Sequence, residues 1–408
     1  MDLRELITNK KLLLKLNIKI IEGRMNYMKI LLVTNIVSHH QLPVATELSK
    51  IVGENNFLFA AISRPDKERL ENGWSSEYGK SWIVHPNESE NDSIIYEKFW
   101  QDADVVICGE RLINRMQDRV DKGKLCFYMS ERWWKPPIGM FRLLSPKYLK
   151  MFLTFRQLTK SEYFHYLPTG PFAAKDLALF TSMKGRVWQW GYFTELPKSV
   201  LKNNEAEQSD AINILWVGRM LNWKRVDLLI KALAKLKNEG KKFKITLVGN
   251  GSEKKHLEKL AKNLLGNSFY EFKEFIPSDE VLSLMAQYDL YVLPSNAYEG
   301  WGAVLNEAMS VGCAVIASDK TGAGASLIEH GVNGLLFKSD SEDSLYDSLS
   351  ELVNNKKLIN DFSVKSRFSI KENWTPAVAA ERLLEVFSAL LDGNEPAEIL
   401  VGPLSRIY

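Results

Sequence analysis

Short apolar runs recur along this chain, each followed by a stretch whose apolar residues return every three or four positions. The runs lack the polar–apolar alternation of a strand with one wet face. This rhythm predicts parallel strands, buried on both faces, alternating with helices. In the first half the predicted strands are 29–35 (KILLVTN), 56–62, 104–108 and 124–129. A loop with Ser38, His39 and His40 follows the first strand, and a helix through Leu48 follows the loop. In the second half strands are predicted at 212–217, 243–248, 271–275, 289–294, 314–318 and 334–337. Helices at 226–238, 252–265, 278–287 and 304–311 separate them. In the first of these, Val226, Leu229, Ile230, Leu233 and Leu236 form one apolar stripe.

Residues 203–210 are polar and without periodicity, which predicts a linker. The chain thus divides into an N-terminal Rossmann-like domain at 28–202 and a C-terminal one at 211–375. A segment at 376–408, with a helix at 376–391, is expected to cross back to the first domain. Residues 1–27 alternate lysines with leucines and isoleucines, and no small-residue cleavage site follows them. They read as an amphipathic surface helix or as a start placed too early. The second reading is preferred because Met25 and Met28 directly precede a good strand.

Composition narrows the function. Of 408 residues, 45% are hydrophobic and 25% charged, as in an ordinary globular protein. A net charge of +3 is too mild to imply a nucleic-acid partner, yet it permits contact with an anionic membrane surface. Cys108, Cys126 and Cys313 lie in strand-like runs with no C-x-x-C pair, so buried, reduced thiols and a reducing cytosol are expected. No apolar run approaches the roughly 20 residues that span a bilayer. The stretch 133–156 mixes Trp133, Trp134, Phe141, Leu144 and Tyr148 with Lys135, Arg142, Lys147 and Arg156. It reads either as a membrane-facing segment or as a helix covering the domain core behind a solvated basic face.

Three constellations in the second half carry chemistry. The strand at 212–217 runs into Gly218-Arg219-Met220-Leu221-Asn222-Trp223-Lys224. Ligands of parallel α/β sheets bind beyond the carboxyl ends of strands. Arg219 offers a planar fork and Lys224 a point charge to one anion, and a diphosphate fits both. Taken alone, the stretch also reads as a solvated basic loop. The strand at 289–294 runs into Glu299-Gly300-Trp301-Gly302-Ala303-Val304, with Glu307 one turn inside the next helix. The glycines let the backbone approach a ligand, and the helix start points free N–H groups at it. Glu307 can accept hydrogen bonds from vicinal hydroxyls such as those of a ribose, and Glu299 from those of a hexose. The third constellation, Gly322-Ala323-Gly324-Ala325, reads as a flexible loop entering a helix beside the same crevice. It is followed by the turn Gly331-Val332-Asn333-Gly334.

These residues resemble the GT-B-fold retaining glycosyltransferases of family 4 (glycosyl transferases group 1). The likeness rests on Gly218-Arg219, Lys224, the E-x7-E spacing of Glu299 and Glu307, and the G-x-N-G turn, across about 212–354. It implies two Rossmann-like domains facing each other across a cleft. It further implies transfer of a sugar, with retention, from a nucleoside diphosphate sugar to an acceptor hydroxyl. By the same likeness Arg219 and Lys224 would bind the diphosphate, Glu307 the ribose and Glu299 the transferred sugar. The backbone of Gly300, Trp301, Gly302, Ala303 and Val304 would touch sugar and phosphate. Ile276 would border the base, and Gly218, Asn250 and Gly251 would line the cleft.

A histidine often found in the family at the end of an N-domain strand is replaced here by Ser130-Glu131-Arg132. That leaves Glu131, His39 and His40 as candidates for sugar or acceptor contact. Metal is not expected, because basic residues and a helix start can neutralise the diphosphate. The string Asp102-x-Asp104 reads as a helix-to-strand turn. The expected setting is surface polysaccharide or lipid-linked glycan assembly on the cytoplasmic membrane face, with 133–156 as the contact. A sugar-nucleotide epimerase or phosphorylase on the same fold, or a non-catalytic sugar-nucleotide-binding protein, is the alternative.

Overall fold

The structure is a computed structural model, describing residues 27–65, 79–135, 138–178, 181–196 and 210–407. The extension read at 1–27, apart from Tyr27, and the linker read at 203–210, apart from Asp210, lie outside these residues.

Two six-stranded parallel sheets organise the chain. The first contains β1 (Ile30–Thr34), β2 (Phe57–Ala61), β3 (Ile83–Val84), β4 (Val105–Cys108), β5 (Leu125–Ser130) and β6 (Phe164–Pro168), in the order β3-β2-β1-β4-β5-β6. The second contains β7 (Ile212–Val217), β8 (Phe243–Val248), β9 (Tyr270–Lys273), β10 (Leu290–Leu293), β11 (Ala314–Ser318) and β12 (Leu335–Phe337), in the order β12-β11-β10-β7-β8-β9. The two orders are the same when each sheet is counted from its own first strand. In both, the winding reverses beside the first strand, between β1 and β4 and between β7 and β10. Parallel sheets of this kind bind ligands in the crevice at that reversal, beyond the strand carboxyl ends. The apolar runs behave as their sequences require, and every residue of β1, β2 and β11 is buried.

Helices cover the sheets. The ones that matter for the site are α1 (Leu42–Val52), α2 (Pro146–Leu158), α3 (Val226–Asn238), α4 (Val304–Val311), α5 (Gly322–Leu327) and α6 (Pro376–Leu391). Thr375 caps α6 by accepting from the Val378 N–H at 3.1 Å, and Pro376 supplies the fixed φ of the first turn. The helix then packs against α1 and places Phe387 4.8 Å from Phe127 of β5, so the end of the chain braces the first sheet. The tail continues the brace. The Leu404 N–H donates to the Gln189 carbonyl and the Gln189 N–H to the Ser405 carbonyl, each at 2.8 Å.

The lobes meet through Trp301. Its Nε1–H donates to Asn306 Oδ1 at 2.8 Å, and Asn306 Nδ2 donates across to the Tyr192 carbonyl at 3.1 Å. The indole fills the space a side chain at Gly191 would need and lies 5.7 Å from the Trp374 ring.

Some sequence expectations need revision. The stretch from Gly322 is itself the helix α5, where a flexible loop entering a helix was expected. Thr321 Oγ1 caps it, accepting from the Gly324 N–H at 3.2 Å. Its small residues serve packing, since a Cβ on Gly322 would stand 2.6 Å from the Gly300 carbonyl oxygen. The segment 133–156 covers the core of the first lobe with part of its length and leaves apolar side chains exposed along the rest. Trp133, Trp134, Met151, Phe152 and Phe155 are buried in the first lobe, while Phe141 and Leu144 are 75% and 82% exposed. The three cysteines are buried, and none is in a disulfide. Asp102 ends a helix and Asp104 Oδ2 accepts from the Lys29 N–H at 2.8 Å, which accounts for the D-x-D string structurally.

Candidate active site

A cavity of about 470 Å³ opens at the carboxyl ends of β7, β8 and β10 and is closed on the far side by the first lobe. Gly218, Arg219 and Lys224 follow β7, Asn250 follows β8, and Ile276 follows β9. Glu299, Trp301, Gly302, Ala303 and Val304 follow β10, and Glu307 stands on α4. His39, His40 and Glu131 complete the wall from the first lobe. Residues predicted from sequence thus converge from both halves of the chain. Gly251 and Gly300 do not line this cavity. Gly251 sits against the backbone of Met220, and Gly300 against the Glu131 carboxylate, where a Cβ on either would overlap its neighbour.

Local geometry sets each group. Lys224 closes a short turn, Asn222–Lys224, and is followed by Arg225 in the left-handed region at φ 51°. That turn aims the ammonium inward, where it meets Glu299 Oε2 at 2.5 Å. The pair is only 16% and 14% exposed. Burial pushes the Glu299 carboxyl up, but the Lys224 charge and hydrogen bond, joined by Ser295 and the Lys135 charge, outweigh it and hold the carboxyl below its ordinary value. Gly302, at φ 91°, turns the chain into α4, whose N-cap residue Ala303 places no side chain over the open N–H groups. Glu307 has no such counter-charge, and burial pushes its carboxyl up to about 7. Both glutamates bear on Tyr291 of β10. Its phenol is held protonated first by burial, then by the charges of Glu307 and Glu299.

The first-lobe wall is largely neutral. Burial lowers His39 to about 4, while burial and then His39 lower His40 well below the usual imidazole value. Both rings are uncharged at neutral pH, and His40 stacks on Tyr192 at 5.4 Å. Glu131 Oε1 accepts from the Tyr192 hydroxyl at 2.7 Å, and Oε2 pairs with Lys135 at 2.5 Å. Sequence reasoning missed Tyr192 and Asn306. Tyr192 lies in an irregular stretch that carries no motif. Asn306 is adjacent to Glu307, yet its amide holds the lobes together and does not face the cavity.

Among the described residues, no group of three or more His, Cys, Asp or Glu side chains is placed to hold a metal ion, and no helix is long and apolar enough to cross a membrane.

Residues 198–367 match the model of a family described as glycosyl transferases group 1. An uncharacterised glycosyltransferase of Methanocaldococcus jannaschii is 30% identical over 182 residues, covering 44% of this chain and 46% of that protein. The Staphylococcus aureus poly(ribitol-phosphate) alpha-N-acetylglucosaminyltransferase is 29% identical over 175 residues, covering 42% of this chain and 34% of that protein. The match therefore spans half or less of these curated relatives' length. Among solved structures, Anabaena HepE in complex with UDP superposes with a TM-score of 0.64 at 17% identity, over 88% of this chain and 100% of that one. That likeness shows a shared fold, the two-lobed GT-B arrangement.

Proposed function

We propose, from a second lobe that matches glycosyl transferases group 1, that this protein transfers a sugar, with retention of configuration, from a nucleoside diphosphate sugar to an acceptor hydroxyl. One observation carries the reading. A single cavity gathers Arg219, Lys224 and the amino end of α4 as counter-charge for a diphosphate, together with the carboxylates of Glu299 and Glu307. The developing charge is on the departing diphosphate oxygen, so preorganised cations and N–H groups there supply the catalytic stabilisation, and no divalent cation is needed. Glu307 takes the ribose hydroxyls, and Glu299 takes the transferred sugar once Lys224 turns to the phosphate. His39, His40 and Glu131 border the sugar from the first lobe, and their side of the cavity shields it from water.

The test is a melting-temperature screen with UDP-, GDP-, ADP- and dTDP-sugars. A ligand at a hundredfold excess over its Kd stabilises the native state by about 2.7 kcal/mol. One base is expected to raise the melting temperature clearly, and a flat response to all four sinks the reading. Product anomeric configuration by NMR then checks retention.

The acceptor belongs to surface or lipid-linked glycan assembly, in keeping with the polymer named for the Staphylococcus relative. Phe141 and Leu144, flanked by Lys147, Lys150 and Arg156, seat the first lobe on an anionic bilayer at the cytoplasmic face. The protein is expected to float with vesicles containing phosphatidylglycerol. Phe141→Asp combined with Leu144→Asp should abolish flotation. Equal flotation of both proteins would remove the contact.

A further inference from the structure

A second cavity of about 470 Å³ lies beyond the carboxyl ends of β1, β4 and β5. It joins the donor cavity at Ser38, Glu131 and Tyr192, which line both. Arg132, Lys135 and Arg142 line this second cavity as well. Arg132 pairs with Asp176 at 3.0 Å and Lys135 with Glu131 at 2.5 Å. Arg142 is held differently. Its Nη1 donates to the Trp133 carbonyl at 3.2 Å, and its guanidinium lies 5.5 Å from the Tyr148 ring centre. Among the described residues no carboxylate pairs with it. The wall thus sets three cations against one carboxylate, Glu131, with Asp176 pairing Arg132 from behind it. Asp176 is turned into the lobe, accepting from the Trp134 N–H at 3.0 Å, so its charge does not face the cavity's contents.

The surroundings of Arg142 add a second observation. Phe141 and Leu144 belong to the same short turn, Gly139–Leu144, and Leu149 and Leu153 follow on α2. All four are exposed. Apolar surface therefore begins where the last cation of the cavity ends. A neutral glycan would use neither the surplus cation nor the apolar rim.

We propose that this cavity binds the acceptor as an anionic amphiphile, a sugar joined through phosphate to an apolar chain. The guanidinium fork of Arg142, with Lys135 beside it, takes the phosphate oxygens. The apolar chain leaves over Phe141 and Leu144, and the sugar hydroxyl reaches Glu131 at the junction with the donor cavity. The direction in which the sugar points rests on the transferase reading, whereas the phosphate site does not.

The experiment measures binding by calorimetry to the full chain, using dodecyl phosphate below its micelle concentration, dodecyl maltoside and inorganic phosphate. Dodecyl phosphate is expected to bind at least about tenfold more tightly than either of the others. Arg142→Gln should weaken it by about tenfold and Arg142→Lys by less, because charge without the fork is retained. Nucleoside diphosphate sugar binding, unchanged in both variants, reports that they are folded. The proposal is overturned if Arg142→Gln binds dodecyl phosphate as the natural protein does, or if dodecyl maltoside binds equally well. Equal affinity for inorganic phosphate overturns the lipid-linked class in favour of a soluble anion. If no sugar nucleotide binds while the Arg142 dependence persists, with melting temperature then reporting the fold, the transferase reading fails and the phosphate site stands.

Discussion

Lys224→Ala is expected to slow sugar transfer by roughly 10²–10³-fold, the usual cost of removing one preorganised group from a developing oxyanion. The loss has two physical parts. The first is the ammonium itself, one of the two side-chain cations lining the donor cavity. The second is what its absence does to Glu299. Burial pushes that carboxyl up, and the Lys224 charge and hydrogen bond are the largest of the influences that hold it down. Without the lysine only the smaller influences of the Ser295 hydrogen bond and the Lys135 charge oppose burial, and the carboxyl shifts toward its neutral form, which accepts fewer hydrogen bonds from sugar hydroxyls. Because one substitution disables both groups, the double variant Lys224→Ala, Glu299→Gln should be little slower than Lys224→Ala alone. Such non-additivity is the mark of residues in direct contact. Initial rates of nucleotide release in the presence of acceptor measure both. If the ion pair were only structural, Lys224→Ala would lower the melting temperature while leaving turnover per folded molecule near normal. That result would take Lys224 out of the diphosphate site.

The second lobe was legible because most of its strands are dominated by apolar residues, and Ile212–Val217 and Phe243–Val248 run straight into Gly218 and Gly249. The helix Val226–Asn238 and the strands Ile212–Val217 and Phe243–Val248 fall where the pattern places them. The first lobe was harder. β6 (FHYLP) carries a buried histidine and ends in proline, and the helix Glu90–Asp102 buries little besides Tyr96 and Trp100, so neither shows a clean period. The four basic and acidic groups of the donor motif, Arg219, Lys224, Glu299 and Glu307, were visible as residue types at a spacing. The pairing of Lys224 with Glu299 was not, since it joins positions 75 residues apart and depends on how two strand exits lie side by side. Tyr192 was invisible for a related reason. Its hydroxyl reaches Glu131, 61 residues away in the same lobe, and its carbonyl reaches Asn306 only once the sheets face each other. Glycine was the misleading residue. At 322 and 324 it reads as flexibility, whereas the fold uses the missing side chains to bring α5 against the 300–301 backbone and the end of β11.

Glu307→Ala is expected to weaken sugar-nucleotide binding by about tenfold to a hundredfold, the range for losing hydrogen bonds to a charged group. Its pH dependence separates this role from a packing role. In the free protein burial pushes the carboxyl up to about 7, so near pH 6 it is mostly protonated. Ribose hydroxyls donate best to the carboxylate, so binding favours ionisation and releases a proton. Affinity should then rise with pH through about 7 and level off above it. The stability effect of the same group runs the other way. An unfolded glutamate ionises near its ordinary 4.5, so between 4.5 and about 7 the folded state binds more protons. Its contribution to stability therefore falls as pH rises across that window. Calorimetry in two buffers of different ionisation enthalpy reads the proton release directly. A sugar nucleotide suits this measurement because its diphosphate is esterified at both ends and has no group titrating near neutrality. Glu307→Gln should bind weakly with an affinity flat from pH 6 to pH 8. If the natural protein were equally flat, the hydroxyl contact would lie elsewhere, and the raised carboxyl would be a consequence of burial without a part in recognition.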